Sequence, residues 1–198
     1  RTALAKLRDT VSVKDFGAVG DGVTDDTAAF TAALATFTAG TTVQNGSIYV
    51  PAGTYKLGSG ILPANSLSNY RIYGAGRGAT KLLWGGSAGS PMLKLTNARN
   101  VTICDMSLIG LTGTRPSYGI QSDVVSPVTG SPAPAACTFR DLDIWYCGVG
   151  IGFTNDSGTF NNNNSEQLID TVFFDTITLD GVRFAHSASL QNRVNNCT

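Results

Sequence analysis

The sequence predicts an all-β chain wound as a parallel β-helix and closed at its N-terminal end by a single α-helix. Three observations carry that reading. A template of apolar positions, h-x-h-x-x-h-x-h, recurs in the second half of the chain; only one stretch has helical periodicity; and the composition favours turns over helix. Thirteen Asp stand against one Glu, beside 23 Gly, in 198 residues. Asp and Gly supply bends and left-handed backbone far better than helix interior.

The length suits one domain with a sizeable core. Charged residues make up 14% and hydrophobic ones 42%, which excludes a disordered tail or a charge-laced coiled coil. Fourteen basic residues balance fourteen acidic ones with no long basic run, so no nucleic-acid partner is expected. No apolar run reaches the roughly 18 residues of a membrane span, so no membrane insertion is expected either. The four cysteines form no CxxC pair and read as reduced, packed thiols. No metal site and no cofactor are expected. The chain begins without Met and stops within a predicted strand at Cys197-Thr198, so both ends read as cut from something longer.

Taken in order, residues 1–12 read as a neck, with Leu4 and Leu7 on one side of a short helical turn. Val11 to Phe16 alternates like a strand, and Gly17 to Gly22 supplies turn signals. Thr24-Asp25-Asp26 places a capping oxygen and two carboxylates at a helix N-terminus. Ala29, Phe30, Ala33, Leu34 and Phe37 then recur at helical spacing up to Gly40, predicting a cap helix over about 25–39. Capping, rather than acid/base chemistry, is the expected role of the Asp25-Asp26 pair.

Strand runs follow at Ser47–Val50, Thr54–Leu57 and Tyr70–Tyr73. The template then fits Val101, Ile103, Met106 and Leu108, next Cys137, Phe139, Leu142 and Ile144, and next Val172, Phe174, Ile177 and Leu179, with first positions 36 and 35 residues apart. Cys197 fits one step later. Each copy is two short strands around a two-residue bend: Cys104-Asp105, Arg140-Asp141, Asp175-Thr176. Without helices to cross a flat sheet, such a chain is most simply wound into stacked coils with inward columns, the first being Val101, Cys137, Val172 and Cys197. Loops at Ser126–Ala136 and Asp156–Ser165 interrupt the spacing. An antiparallel sandwich is the rival, and it would need hairpin turns where bends are found. A solenoid needs its ends covered, and the amphipathic helix is the natural plug; more coils or a partner are expected beyond residue 198.

The segment Val13-Lys14-Asp15-Phe16-Gly17-Ala18-Val19-Gly20-Asp21-Gly22-Val23-Thr24-Asp25-Asp26-Thr27, with Tyr49-Val50-Pro51-Ala52-Gly53-Thr54-Tyr55 and Ile72 to Thr80, resembles the opening of the pectate-lyase superfamily of right-handed β-helices. Residues 1–12 are similar to the neck of bacteriophage tailspikes and tail fibres. This resemblance implies a homotrimer, attached to virion tail or baseplate proteins, that recognises and in active members cleaves bacterial surface polysaccharide. It also implies assembly in the host cytoplasm and action at the bacterial surface. The domains then read as a neck over 1–12 and the N-terminal coils over 13–198. The Asn-Thr-Asp, distal Asp-Asp and Gly-His-Gly motifs of the polygalacturonase branch are absent, so no catalytic residue carries over. A non-viral β-helical lyase or hydrolase and a purely receptor-binding fibre remain the alternatives.

Glycoside hydrolysis needs two carboxylates flanking a groove. Asp143, pointing outward between Leu142 and Ile144, and Asp180, following Leu179, are the candidate catalytic pair, placed on one exposed face. Trp145 and Tyr146 beside them are candidate sugar-stacking residues, and Arg183 is a candidate partner for a uronate. His186, the lone histidine, reads as a surface residue. Gly74 to Ala79 fits a dinucleotide glycine pattern, but the strand-like Thr80 to Trp84 behind it argues against a nucleotide.

Overall fold

The computed structural model describes residues 10–37, 46–63, 68–123, 136–154, 166–185 and 192–198. The coils run through β1 (Thr10–Ser12), β2 (Asp21–Asp25), β3 (Gly46–Val50), β4 (Gly53–Leu57), β5 (Tyr70–Gly74), β6 (Thr80–Trp84) and β7 (Leu93–Thr96). They continue through β8 (Thr102–Ile109), β9 (Tyr118–Asp123), β10 (Thr138–Trp145), β11 (Val149–Thr154), β12 (Leu168–Asp175), β13 (Asp180–Phe184) and β14 (Arg193–Asn195). Every pairing between named strands is parallel. Ten strands form the larger sheet and β7, β9, β11 and β13 the smaller one, so the fold is the parallel β-helix expected.

The larger sheet has two arms. In the early coils they are separate strands, β3 with β5 and β4 with β6; from β8 onward one eight-residue strand serves both, its first half pairing β5 and its second half β6. The bend that joins the arms is a single left-handed residue: Asp105 (φ 62°), Asp141 (φ 52°) and Thr171 (φ 55°). Asp tolerates this backbone; a β-branched Thr does so poorly. Replacing Thr171 by Asn is therefore expected to stabilise the protein by about 1 kcal/mol, read as a higher urea midpoint at unchanged slope.

Inward side chains stack as files. Val11, Ile48, Ile72, Ile103, Phe139, Ile169 and Val194 follow one another from coil to coil. Tyr55, Leu82, Leu108, Ile144 and Phe174 form a second file, and Leu93, Ile120, Ile151 and Val182 a third in the smaller sheet. Cys137 lies one coil above Gln167, not above Val172, because the Leu168 amide bonds the Cys137 carbonyl at 2.9 Å. Val172 instead pairs with Leu142. The expected Val101–Cys137–Val172 column is thus corrected: Val101 and Cys137 share a file, and Val172 belongs five residues further along the coil. The reason is arithmetic. The template's inward positions 0, 2, 5 and 7 overlap themselves under a shift of five, and the true first position is Gln167, a buried amide whose Oε1 accepts the Cys137 N–H at 3.2 Å. The final step survives, since the Thr198 amide bonds Val172. Asp175-Thr176 is likewise the next corner, equivalent to Trp145-Tyr146, with Thr176 at φ 53° and Tyr146 at φ 56°.

The N-terminal end differs in detail from expectation. β1 already pairs with β3, so the first rung starts at Thr10; residues 1–9 lie outside the described set. Val13–Phe16 is a 3-10 turn capped by Ser12, not a strand. The helix α1 spans Thr27–Ala35 and buries Ala29, Phe30, Ala33 and Leu34, with Phe37 just beyond. Asp26 occupies the N-cap, yet its carboxylate accepts the Val19 and Gly20 amides (2.6 and 3.1 Å) rather than a helix amide. Asp25 does the capping, accepting from the Thr27 hydroxyl and amide and from Gly58.

Those bonds, the Thr27 hydroxyl first, hold the Asp25 carboxyl below its usual value. A carboxyl whose value is lower folded than unfolded stabilises above the unfolded value, near pH 4, and ceases to do so as the pH falls through the folded one. Acidification below about pH 4 is therefore expected to loosen the start of α1, seen as a coupled shift of the Thr27 and Gly58 amide resonances. All four cysteines are free, and burial pushes the Cys104 and Cys137 thiols up to about 11 and the Cys147 thiol up to about 12. These three thiols stay protonated at neutral pH.

Candidate functional site

Two outer faces of the coil stack carry the chemistry-bearing side chains. On the second arm of the larger sheet, inward Leu142 and Ile144 force Asp143 and Trp145 outward. Asp143 pairs in register with Ser107 and Phe173, and Trp145 with Ile109 and Asp175. The Asp143 carboxylate accepts from the Ser107 hydroxyl at 3.1 Å and pairs with Arg77 at 3.4 Å. Ser107 in turn accepts the Gly78 amide at 2.9 Å. Asp143 thus fastens the glycine loop between β5 and β6 across two coils. The loop's amides are taken by the protein's own hydroxyls, Ala75 N–H by Thr80 and Gly78 N–H by Ser107, which supports rejecting it as a nucleotide cradle. The Trp145 indole N–H has no acceptor in the structure described.

The smaller sheet presents the other face. Asp180 opens β13, and its carboxylate binds Arg183 three residues on, at 2.5 Å. Arg183 stands in line with Gly152, Gln121 and Lys94 on successive coils. A Cβ at Gly152 would collide with the Tyr118 ring, which lies across that position. Beside this line a polar network ties three coils: Lys94 Nζ pairs with Asp123 at 2.9 Å, the Thr154 hydroxyl donates to Asp123 at 3.0 Å, and the Gln121 amide donates to Thr154 at 2.8 Å. The Asp123 side chain is fully buried.

The expected catalytic pair is therefore not assembled. Asp143 lies on the larger sheet and Asp180 on the smaller one, each already bound to an arginine, and they share no face. The coil turns a corner between them at Trp145–Gly148 and again at Asp175–Leu179, which spacing along the chain does not reveal. Tyr146 sits on that corner with Arg115 5.8 Å from its ring centroid, and Arg115 reaches the Thr176 carbonyl at 3.0 Å. It is apart from Trp145's face. His186 lies outside the described residues. Sequence reasoning missed Arg77, Ser107 and the Lys94–Gln121–Asp123–Thr154 network, whose members are joined only by coil register.

A family model described as rhamnogalacturonase A/epimerase, pectate lyase-like, matches residues 10–198. The chain belongs to this family. This pectate lyase-like chain is 49% identical over 74 positions to mannuronan C5-epimerase AlgE2 of Azotobacter vinelandii, covering 35% of the chain and 7% of that enzyme. Alginate lyase 7 of the same organism is 45% identical over 74 positions, covering 35% of the chain and 8% of the lyase. Among solved structures, ORF18 of Geobacillus virus E2 matches at TM-score 0.62 and 22% identity, over 96% of this chain and 42% of that one. The pre-mature gene product 12 of bacteriophage phi29 matches at TM-score 0.65 and 22% identity, over 94% and 26%. These structural likenesses establish the β-helix fold. The matched residues span less than half of either viral protein and under a tenth of each of these two curated enzymes.

Proposed function

We propose that this chain forms the N-terminal coils of a phage tailspike or tail fibre that recognises bacterial surface polysaccharide. The observation that carries the reading is the outer face of the larger sheet, where Trp145, half-buried, and Phe173, 42% exposed, stand beside Asp143, Arg77 and Lys81 on a rigid coil stack. Flat apolar side chains edged by hydrogen-bonding groups suit sugar rings, which are apolar on their faces and polar at their rims. The neck-like residues 1–12, and the viral source of two structural relatives, favour a virion over a free enzyme. On this reading the protein is a homotrimer on the virion tail, joined to tail or baseplate proteins, assembled in the host cytoplasm and acting at the bacterial surface.

A second reading, a β-helical polysaccharide-modifying enzyme, draws on the 74-residue likeness to mannuronan epimerases and an alginate lyase. Here Asp143, Asp180 and Arg183 would have to meet a sugar from separate faces, which their geometry does not favour. The test is to incubate the complete polypeptide with purified bacterial capsule and O-antigen polysaccharides. Binding without product supports a receptor-binding fibre, and new reducing ends or unsaturated uronate add cleavage by hydrolysis or elimination. No binding to any of them overturns the polysaccharide reading. A trimer mass in solution is expected for the full chain, and a stable monomer contradicts the fibre.

A further inference from the structure

The coil stack has three outer faces, of which the second arm of the larger sheet is the one assigned to polysaccharide above. The smaller sheet is closed. Alternation with the inward Leu93, Ile120 and Ile151 turns Thr96, Gln121, Asp123 and Thr154 outward, yet these four are only 8, 4, 0 and 6% exposed. The first arm of the larger sheet is left, with Ile48, Ile72, Ile103 and Phe139 pointing inside.

The outward middle line of that arm runs Tyr49, Tyr73, Cys104 and Arg140, direct register partners on successive coils. The two tyrosine rings lie 5.1 Å apart. Arg71 stands over the Tyr73 ring, 4.4 Å from its centroid, and its guanidinium donates to the Cys104 sulfur at 3.2 and 3.3 Å and to Asp105 at 3.0 Å. These contacts hold the side chain in place before any partner arrives. Tyrosine and arginine are over-represented among the residues that carry protein interfaces, and groups already held lose little freedom on binding.

Charge points to the partner, a second copy of this chain. One edge of the arm is basic, with Arg99 at the corner before β8 and Arg71 on the outward line farther from the bend. The other edge is acidic: Asp105 and Asp141 form the bend itself and keep 30 and 37% of their side-chain exposure. Copies arranged about a threefold axis along the solenoid each set the basic edge against the next copy's acidic edge, a head-to-tail contact that closes on itself. Equal coil spacing in every copy keeps the two edges matched from rung to rung.

We propose that the first arm is where copies of this chain pack together, with Tyr49 and Tyr73 at the centre of each contact and Arg71 and Arg99 of one copy facing Asp105 and Asp141 of the next. This rests on the trimer of the fibre reading above and adds the face that forms it. The second arm then stays outward.

The test uses the full-length polypeptide carrying photoreactive p-benzoylphenylalanine at one position. Tyr73→p-benzoylphenylalanine is expected to give covalent dimers and trimers on irradiation, and Leu83→p-benzoylphenylalanine, on the second arm, to give none. Adding Asp141→Asn, which keeps the left-handed bend and removes the charge, should lower the yield from position 73 several-fold with an unchanged circular dichroism spectrum. If the full chain has a trimer mass yet position 73 gives no product between copies, or position 83 gives as much, or Asp141→Asn leaves the yield as it was, the face is overturned while the trimer stands. If the wild type is a stable monomer, the fibre reading and this face fall together.

Discussion

Asp123→Ala is expected to destabilise the protein by about 3 kcal/mol, the lower end of the cost of breaking a buried ion pair. The carboxylate is fully buried, while the Lys94 side chain keeps 23% of its exposure, so water relieves part of the charge left behind. The loss spreads across coils. Asp123 on β9 holds Lys94 on β7 and Thr154 on β11, and Gln121 leans on the same Thr154 hydroxyl. Removing it strands a cation and a hydroxyl on two neighbouring coils at once. For a chain of this size, that loss lowers the melting temperature by roughly 6 to 12 °C. Thermal unfolding followed by circular dichroism reads it directly. A change under 2 °C would mean that the network is surface decoration.

Phe139→Ala is expected to cost as much or more, about 3 to 5 kcal/mol. Its ring is fully buried between Ile103 and Ile169 in the longest interior file and meets Phe153 edge-on at 6.0 Å. Phe153 in turn stacks on Phe184 at 4.8 Å. Coils above and below are fixed by backbone pairing, so the file cannot close over the cavity. The change should leave the denaturant slope alone and shift the midpoint. Phe139→Leu, which keeps most of the volume, is expected to recover more than half of the loss.

Much of this architecture is legible in the residues. The helix announces itself because its buried side has helical spacing. The Asp105 and Asp141 bends announce themselves because Asp sits where apolar alternation breaks step. The coil below them is harder to place. Gln167 fills an inward position with a polar group satisfied by the backbone, Thr171 replaces the Asp at the bend, and the template fits equally well five residues later. Side chains related by register are invisible for a different reason. Lys94, Asp123 and Thr154 are about thirty residues apart, and only coil length, set by loops and corners, brings them together. The same cause separated Asp143 from Asp180. Both were expected on one exposed face, but the corner at Trp145–Gly148 puts them on different sheets, and Asp180 stands in register with the buried Val149.

Every functional statement depends on which residue lies above which. Methyl and aromatic NOEs in a selectively labelled sample measure that order most directly. The coil register predicts contacts of Leu142 with Val172, Ile144 with Phe174 and Phe139 with Ile169. Contacts of Val172 with the Cys137 side chain instead, with none to Leu142, would shift the last coils by five residues and contradict the account.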